Sequence, residues 1–180
     1  MNVADSVEYI KDLIRTVPDF PKPGINFFDI TTVLSDPKGL KLTCELMAKP
    51  WLDKKIDAVV GTESRGFIFA VPIAQILGCG FIPIRKPGKL PSKTISAEYD
   101  LEYGSDKLEI HVDAIKPGDN ILLIDDLLAT GGTIKACIQL VEQLGGKVAG
   151  LGFLIELAFL NPRAKLEGYN VNSIISYEKD

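Results

Sequence analysis

Histidine occurs once in this chain, as His111, and cysteine three times, as Cys44, Cys79 and Cys137. The three cysteines are widely spaced and form no metal-ligand pair. Two of them lie in apolar surroundings, which predicts buried free thiols and a reducing, cytoplasmic setting. His111 falls in a predicted strand outside every motif below and is assigned no role. No apolar run approaches the roughly 20 residues that span a bilayer. Residues 1–14 are acidic and periodic, unlike a secretory signal. A basic excess is also missing. The net charge of −4 argues against non-specific nucleic-acid binding, while local basic clusters leave room for a small anionic ligand. Repeats, low-complexity tracts and linkers are absent, so residues 1–180 are expected to form a single domain.

What is present is an ordinary globular composition, with 46% apolar and 24% charged residues. Val7, Ile10, Leu13 and Ile14 recur at helical spacing, with Asp5 or Ser6 as the expected cap. Ser35-Asp36-Pro37 reads as a cap followed by a first-turn proline and predicts a helix over 37–48. Strands are predicted over 56–61 and 81–84. The apolar stretch 67–77 between them predicts a buried helix, with Pro72 in its first turn or at a kink. Residues 120–125 form an unbroken apolar strand, as expected where helices cover both faces of a parallel sheet. Ile134, Cys137, Ile138, Val141 and Leu144 then return to helical spacing, and 148–157 reads as another strand. Strand, helix, strand occurs twice. The fold class is therefore α/β with a mostly parallel sheet. The polar stretch from Arg85 to about Lys107 predicts a lid, a binding loop or a projecting hairpin, with 98–103 pairing 108–112.

The stretch richest in chemistry is Ile124-Asp125-Asp126-Leu127-Leu128-Ala129-Thr130-Gly131-Gly132-Thr133. Here the strand is expected to end in two carboxylates, and a short loop leads into the next helix. A helix start offers unpaired N–H groups and the positive end of a dipole, which suit a phosphate. Gly131 and Gly132 let backbone approach an anion closely, and Thr130 and Thr133 add hydroxyl donors. Asp125 and Asp126 stand where open α/β sheets bind ligands, and carboxylates there can accept from sugar hydroxyls. Asp-Asp alone also suits a solvated strand end, and Gly-Gly alone a helix cap. In this order, after this strand, the pairs together point to a ribose 5-phosphate. The segment lacks the Gly-Lys-Ser/Thr ending of a nucleotide P-loop.

This segment resembles the phosphoribosyl pyrophosphate (PRPP) motif of the type I phosphoribosyltransferases. Four further stretches resemble the members of that family that use adenine as acceptor. They are Pro21-x-Pro23-Gly24-Ile25-x-Phe27-x-Asp29-Ile30, Glu63-Ser64-Arg65-Gly66-Phe67, Arg85-Lys86-Pro87-Gly88-Lys89-Leu90-Pro91 and Tyr99-x-Leu101-Glu102-Tyr103-Gly104. The resemblance covers nearly the whole chain. It implies a twisted parallel sheet flanked by helices, with a projecting flexible loop or hairpin and a small N-terminal hood. It implies transfer of a 5-phosphoribosyl group from PRPP to adenine, giving AMP and pyrophosphate in purine salvage. Mg²⁺ carried by PRPP, with no metal ligand directly expected from the protein, and a homodimer follow from it as well.

The same resemblance distributes roles. Asp125, Asp126, Ala129, Thr130, Gly131, Gly132 and Thr133 would hold the ribose phosphate. Glu63, Ser64, Arg65, Lys86 and Lys89 would meet pyrophosphate, the two lysines from a mobile lid that closes over the reacting groups. Arg65 would also assist the departure of pyrophosphate, and Glu102 would act as general acid/base near the purine. Asn26, Phe27, Phe28 and Leu127 would surround adenine, with Phe27 stacking on it. Phe28 stands where many members carry a basic residue.

Overall fold

The computed structural model describes residues 2–100 and 105–179. In chain order the regular elements are α1 (Val3–Leu13), β1 (Arg15–Val17), β2 (Phe27–Asp29), α2 (Thr31–Ser35), α3 (Pro37–Ala48), β3 (Ala58–Thr62), α4 (Arg65–Leu77), β4 (Gly80–Ile84), β5 (Thr94–Asp100), β6 (Ser105–His111), β7 (Asn120–Leu128), α5 (Gly132–Gln143), β8 (Lys147–Leu157) and β9 (Val171–Tyr177). Short 3₁₀ turns follow α3 and link β8 to β9. No helix among the described residues is long and apolar enough to cross a membrane.

Five parallel strands form the main sheet in the order β4-β3-β7-β8-β9. Alternation along β7 supplies both faces of the core. Leu122 and Ile124 pack with Trp51, Phe69 and Ile73 beneath α3 and α4. Ile121 and Leu123 pack with Cys137, Leu140 and Val141 of α5. Burial on both faces is why β7 reads as a continuous apolar run. The chain leaves β3 toward β4 on one side and returns to β7 on the other. The crevice at the carboxyl ends of β3 and β7 is thus the switch point where such sheets take ligands.

Several sequence expectations change in detail. The cap of α1 is Asn2, whose side chain accepts from the Asp5 N–H at 2.8 Å, so Asp5 and Ser6 lie inside the first turn. The cap of α3 is Asp36, as expected, accepting from the Gly39 N–H at 2.6 Å. Pro72 sits in the interior of α4, because that helix begins two residues early, at Arg65. β7 does not stop at Asp125. It continues to Leu128 because β8 runs beside it, pairing Asp125 with Phe153 and Leu128 with Glu156. Much of the polar stretch after Arg85 is the antiparallel pair β5 and β6, which seats Ala97, Leu108 and Ile110 in the core on the α5 side. β1 and β2 form a second small antiparallel pair near the N-terminus. All three cysteines are free, with Cys44 and Cys137 buried; burial pushes the Cys137 thiol up to about 12, leaving it inert at neutral pH.

Candidate active site

A cavity of about 400 Å³ opens at the carboxyl ends of β3 and β7, bounded by the 62–65 turn, Lys86, Tyr99, and every residue from Asp125 to Ile134. Two helices begin at it. α5 starts after Gly131, which takes φ of 80° and has no side chain available to cap the helix. α4 starts after Ser64, again with no side-chain cap, and neither helix has an acidic residue in its first turn. By contrast α1 and α3, which only pack, are capped by Asn2 and Asp36. Helix starts left without a side-chain cap carry N–H donors open to a ligand and a partial positive charge, so the cavity has two places suited to anions.

Glycine makes both approaches possible. A Cβ on Gly131 would combine a strained positive φ with an approach of 3.2 Å to the Pro162 carbonyl. A Cβ on Gly66 would lie 2.9 Å from Asp125 Oδ1 and 3.0 Å from the Ile124 carbonyl. The absence of that atom lets the first turn of α4 rest against the end of β7.

Between the two helix starts sit the carboxylates. The Asp126 N–H donates to Asp125 Oδ1 at 2.9 Å, and Arg65 Nε meets Asp126 Oδ2 at 2.9 Å. Burial pushes the Asp125 carboxyl well above the usual range, and the charge of Asp126 adds to that. Burial also raises the Asp126 carboxyl, against the opposing pull of Arg65. Such a pair is poised to take donors, whether sugar hydroxyls or a cation.

The remaining expected residues divide. Arg65, Ser64, Lys86, Leu127, Ala129, Thr130, Gly132 and Thr133 all line the cavity with the carboxylates and Gly131. Glu63 lines it too, but its carboxylate is already engaged by protein donors. It accepts from Arg85 Nε and a terminal guanidinium nitrogen at 3.2 and 3.1 Å, and from the Lys86 N–H at 3.0 Å. Arg85 foremost holds the Glu63 carboxyl below its ordinary range. The Glu63 carboxylate thus braces the basic loop, while the residue itself lines the cavity. Lys89 is exposed, and its carbonyl accepts from Arg85 at 3.1 Å.

The residues expected around a base also divide, because side chains alternate along a strand. Phe28 points into the core and stacks on Tyr177 with ring centroids 4.1 Å apart. The Phe28 side chain is therefore taken up by the core, which leaves its backbone for the expected base contact. Phe27 points the other way, edge-on to Phe20 at 5.1 Å and 5.5 Å from the Arg65 guanidinium. Asn26, next to it, is partly exposed. Glu102 lies outside the described residues. Tyr99 and Asp106 were missed by sequence reasoning: Tyr99 lines the cavity and donates to Asp106 Oδ2 at 3.2 Å. Tyr99 heads one of the stretches that carry the family resemblance, but no role was read from it.

Two uncapped helix starts flanking a carboxylate pair suit a sugar carrying phosphate groups at two separated positions. Comparison with known proteins agrees. The family profile of the phosphoribosyl transferase domain matches residues 29–175. An adenine phosphoribosyltransferase of Clostridium perfringens is 60% identical over 169 residues, covering 94% of this chain and 98% of the relative. The crystal structure of adenine phosphoribosyltransferase from Thermoanaerobacter pseudethanolicus superposes with a TM-score of 0.92 at 53% identity, covering 95% of this chain and 99% of that one. The Saccharomyces cerevisiae enzyme, complexed with adenine and an imino-altritol bisphosphate, gives 0.90 at 38% identity, covering 95% and 99%. The chain belongs to the phosphoribosyltransferase family, within its adenine phosphoribosyltransferase branch.

Proposed function

We propose that the chain transfers the 5-phosphoribosyl group of PRPP to adenine, releasing AMP and pyrophosphate, with each substrate group held as follows. The observation that carries the reading is the pair of uncapped helix starts at one cavity. The start of α5, with Thr130 and Thr133, takes the 5-phosphate. The start of α4, with Ser64 and Arg65, takes the pyrophosphate, which Lys86 reaches from the basic loop. Asp125 and Asp126 accept from the ribose hydroxyls, and Leu127 and Phe27 flank the purine.

Catalysis in this arrangement is positioning plus electrostatics. As the bond from ribose C1′ to pyrophosphate breaks, negative charge builds on the leaving oxygens beside Arg65 and the α4 amides. Positive charge builds on the ribose, near the two carboxylates. Adenine N9 attacks C1′, and Glu102 is assigned the proton shed by the purine at N7. The sequence resemblance alone supports that last role. Mg²⁺ would arrive on PRPP, held mainly by phosphates and waters, with the Asp125–Asp126 pair the nearest carboxylates that could assist. When bound it would neutralise phosphate charge. AMP and pyrophosphate should form in equal amounts from PRPP and adenine, and pyrophosphate without AMP would mean hydrolysis instead. In single turnover, Glu102→Ala should slow AMP formation on the order of 10²-fold or more, as general acid/base catalysis contributes. PRPP affinity should be kept, and an unchanged rate removes the role.

A homodimer is part of this proposal. Ile68, Val71 and Ile76, about 40% exposed each, are large apolar side chains on α4, the helix that starts at the 62–65 turn of the cavity. Wild type should sediment at twice the chain mass of 19.6 kDa, and Ile68→Asp with Val71→Asp should sediment at that mass. An unchanged dimer in the variant would place the interface elsewhere.

A further inference from the structure

Lys86 begins the basic loop, and a lysine side chain on such a loop ordinarily samples many rotamers. Here it is held. Its Nζ donates to Asp106 Oδ2 at 2.6 Å, from a position in the cavity wall. The same oxygen accepts from the Tyr99 hydroxyl at 3.2 Å, while Oδ1 accepts from the Lys107 N–H at 2.8 Å. The carboxylate is therefore fixed from three directions. Tyr99 lies across from Asp106 in the hairpin register and itself lines the cavity. Tyr99 and Thr133 of the phosphate loop line the same cavity. The loop is tied at its backbone as well, since the Lys86 N–H donates to Glu63.

We propose that Asp106 is a positioning residue for this reaction: it holds Lys86 so that the ammonium faces the pyrophosphate half of the cavity. The proposal rests on the reading of the cavity as a PRPP site. An ammonium has three N–H donors, and Asp106 uses one, leaving two for the leaving group. Fixing that group before the substrate arrives lessens the ordering lost on binding, which is how preorganisation raises affinity. Asp106 touches no substrate in this arrangement. It acts through Lys86, and its other partner, Tyr99, lines the cavity together with the α5 phosphate loop.

Calorimetry with magnesium pyrophosphate and, separately, with AMP tests the proposal, because AMP fills the ribose-phosphate and base sites but not the pyrophosphate site. Asp106→Asn should weaken pyrophosphate about tenfold, the scale of one charge-assisted contact, and leave AMP within about twofold. Lys86→Met should show the same split, and the double variant should be no weaker than Lys86→Met alone. AMP binding also reports that each variant is folded. Equal losses for both ligands would make Asp106 merely structural. Additive losses in the double variant would separate it from Lys86, and tighter pyrophosphate binding would make it a competitor for the lysine. Each of these overturns the proposal while sparing the site. Wild-type protein that binds no pyrophosphate would instead overturn the site reading, and this proposal with it.

Discussion

Asp125→Asn combined with Asp126→Asn should weaken PRPP binding by roughly 10²-fold or more. Hydrogen bonds to a charged group contribute roughly 1.5–3 kcal/mol each, and each 1.4 kcal/mol is about tenfold in affinity. Two such acceptors disappear in the variant, together with the carboxylates available to a magnesium ion. The fold should survive. Burial holds both carboxyls above their ordinary range, so the charged pair opposes folding at neutral pH. A carboxyl whose pKa rises on folding binds its proton more tightly in the native state. Stability therefore grows as the pH falls through the raised pKa toward the ordinary carboxyl value, and is lost again as the pH rises through it. Asp125→Asn alone removes that burden while sparing the Arg65–Asp126 pair, so its Tm should equal or exceed that of wild type. A PRPP dissociation constant unchanged in the double variant would sink the assignment of these carboxylates.

Arg65→Ala should lower kcat by about 10²–10³-fold, the range found when one preorganised donor to developing negative charge is lost. Its guanidinium stands at the start of α4, oriented by Asp126 on one side and the Phe27 ring on the other. Arg65→Lys should recover little, since an ammonium lacks the planar fork that can serve Asp126 and a phosphate oxygen together. The pH dependence should change too. Arg65 is the main influence pulling the Asp126 carboxyl down against burial, so its removal lets that pKa rise further. PRPP binding by Arg65→Ala should then decline at a higher pH than in wild type as the solution is acidified. Single-turnover rates and binding curves over pH 5 to about 8 measure both effects. A kcat near that of wild type would leave Arg65 only a structural partner of Asp126.

The phosphate loop was legible in the sequence because its signals are local: an apolar run, two carboxylates, two glycines and two threonines in fixed order. The α3 cap and the alternation of strand and helix were legible for the same reason. What escaped depends on partners distant in the chain. Asp125 and Asp126 resemble a strand end until β8 is set beside them, pairing through Glu156. The role of the Glu63 carboxylate as a brace was hidden because its partners, Arg85 and the Lys86 amide, lie more than 20 positions away. Phe27 and Phe28 look alike until β2 turns one toward Arg65 and the other onto Tyr177, near the far end of the chain. Asp106 had no signal at all, because its meaning lies in Lys86 and Tyr99.

The most direct measurement is nucleotide formation from PRPP and Mg²⁺ with adenine, hypoxanthine, guanine and xanthine, each alone and then in competition. The structure, with the resemblance of the base-facing residues, leads to AMP as the single product and to no inhibition of its formation by the other three bases. A mononucleotide of another base, formed at a rate comparable to AMP, would keep the phosphate sites and contradict the acceptor. No product from any base, with PRPP still bound, would contradict the catalytic reading itself.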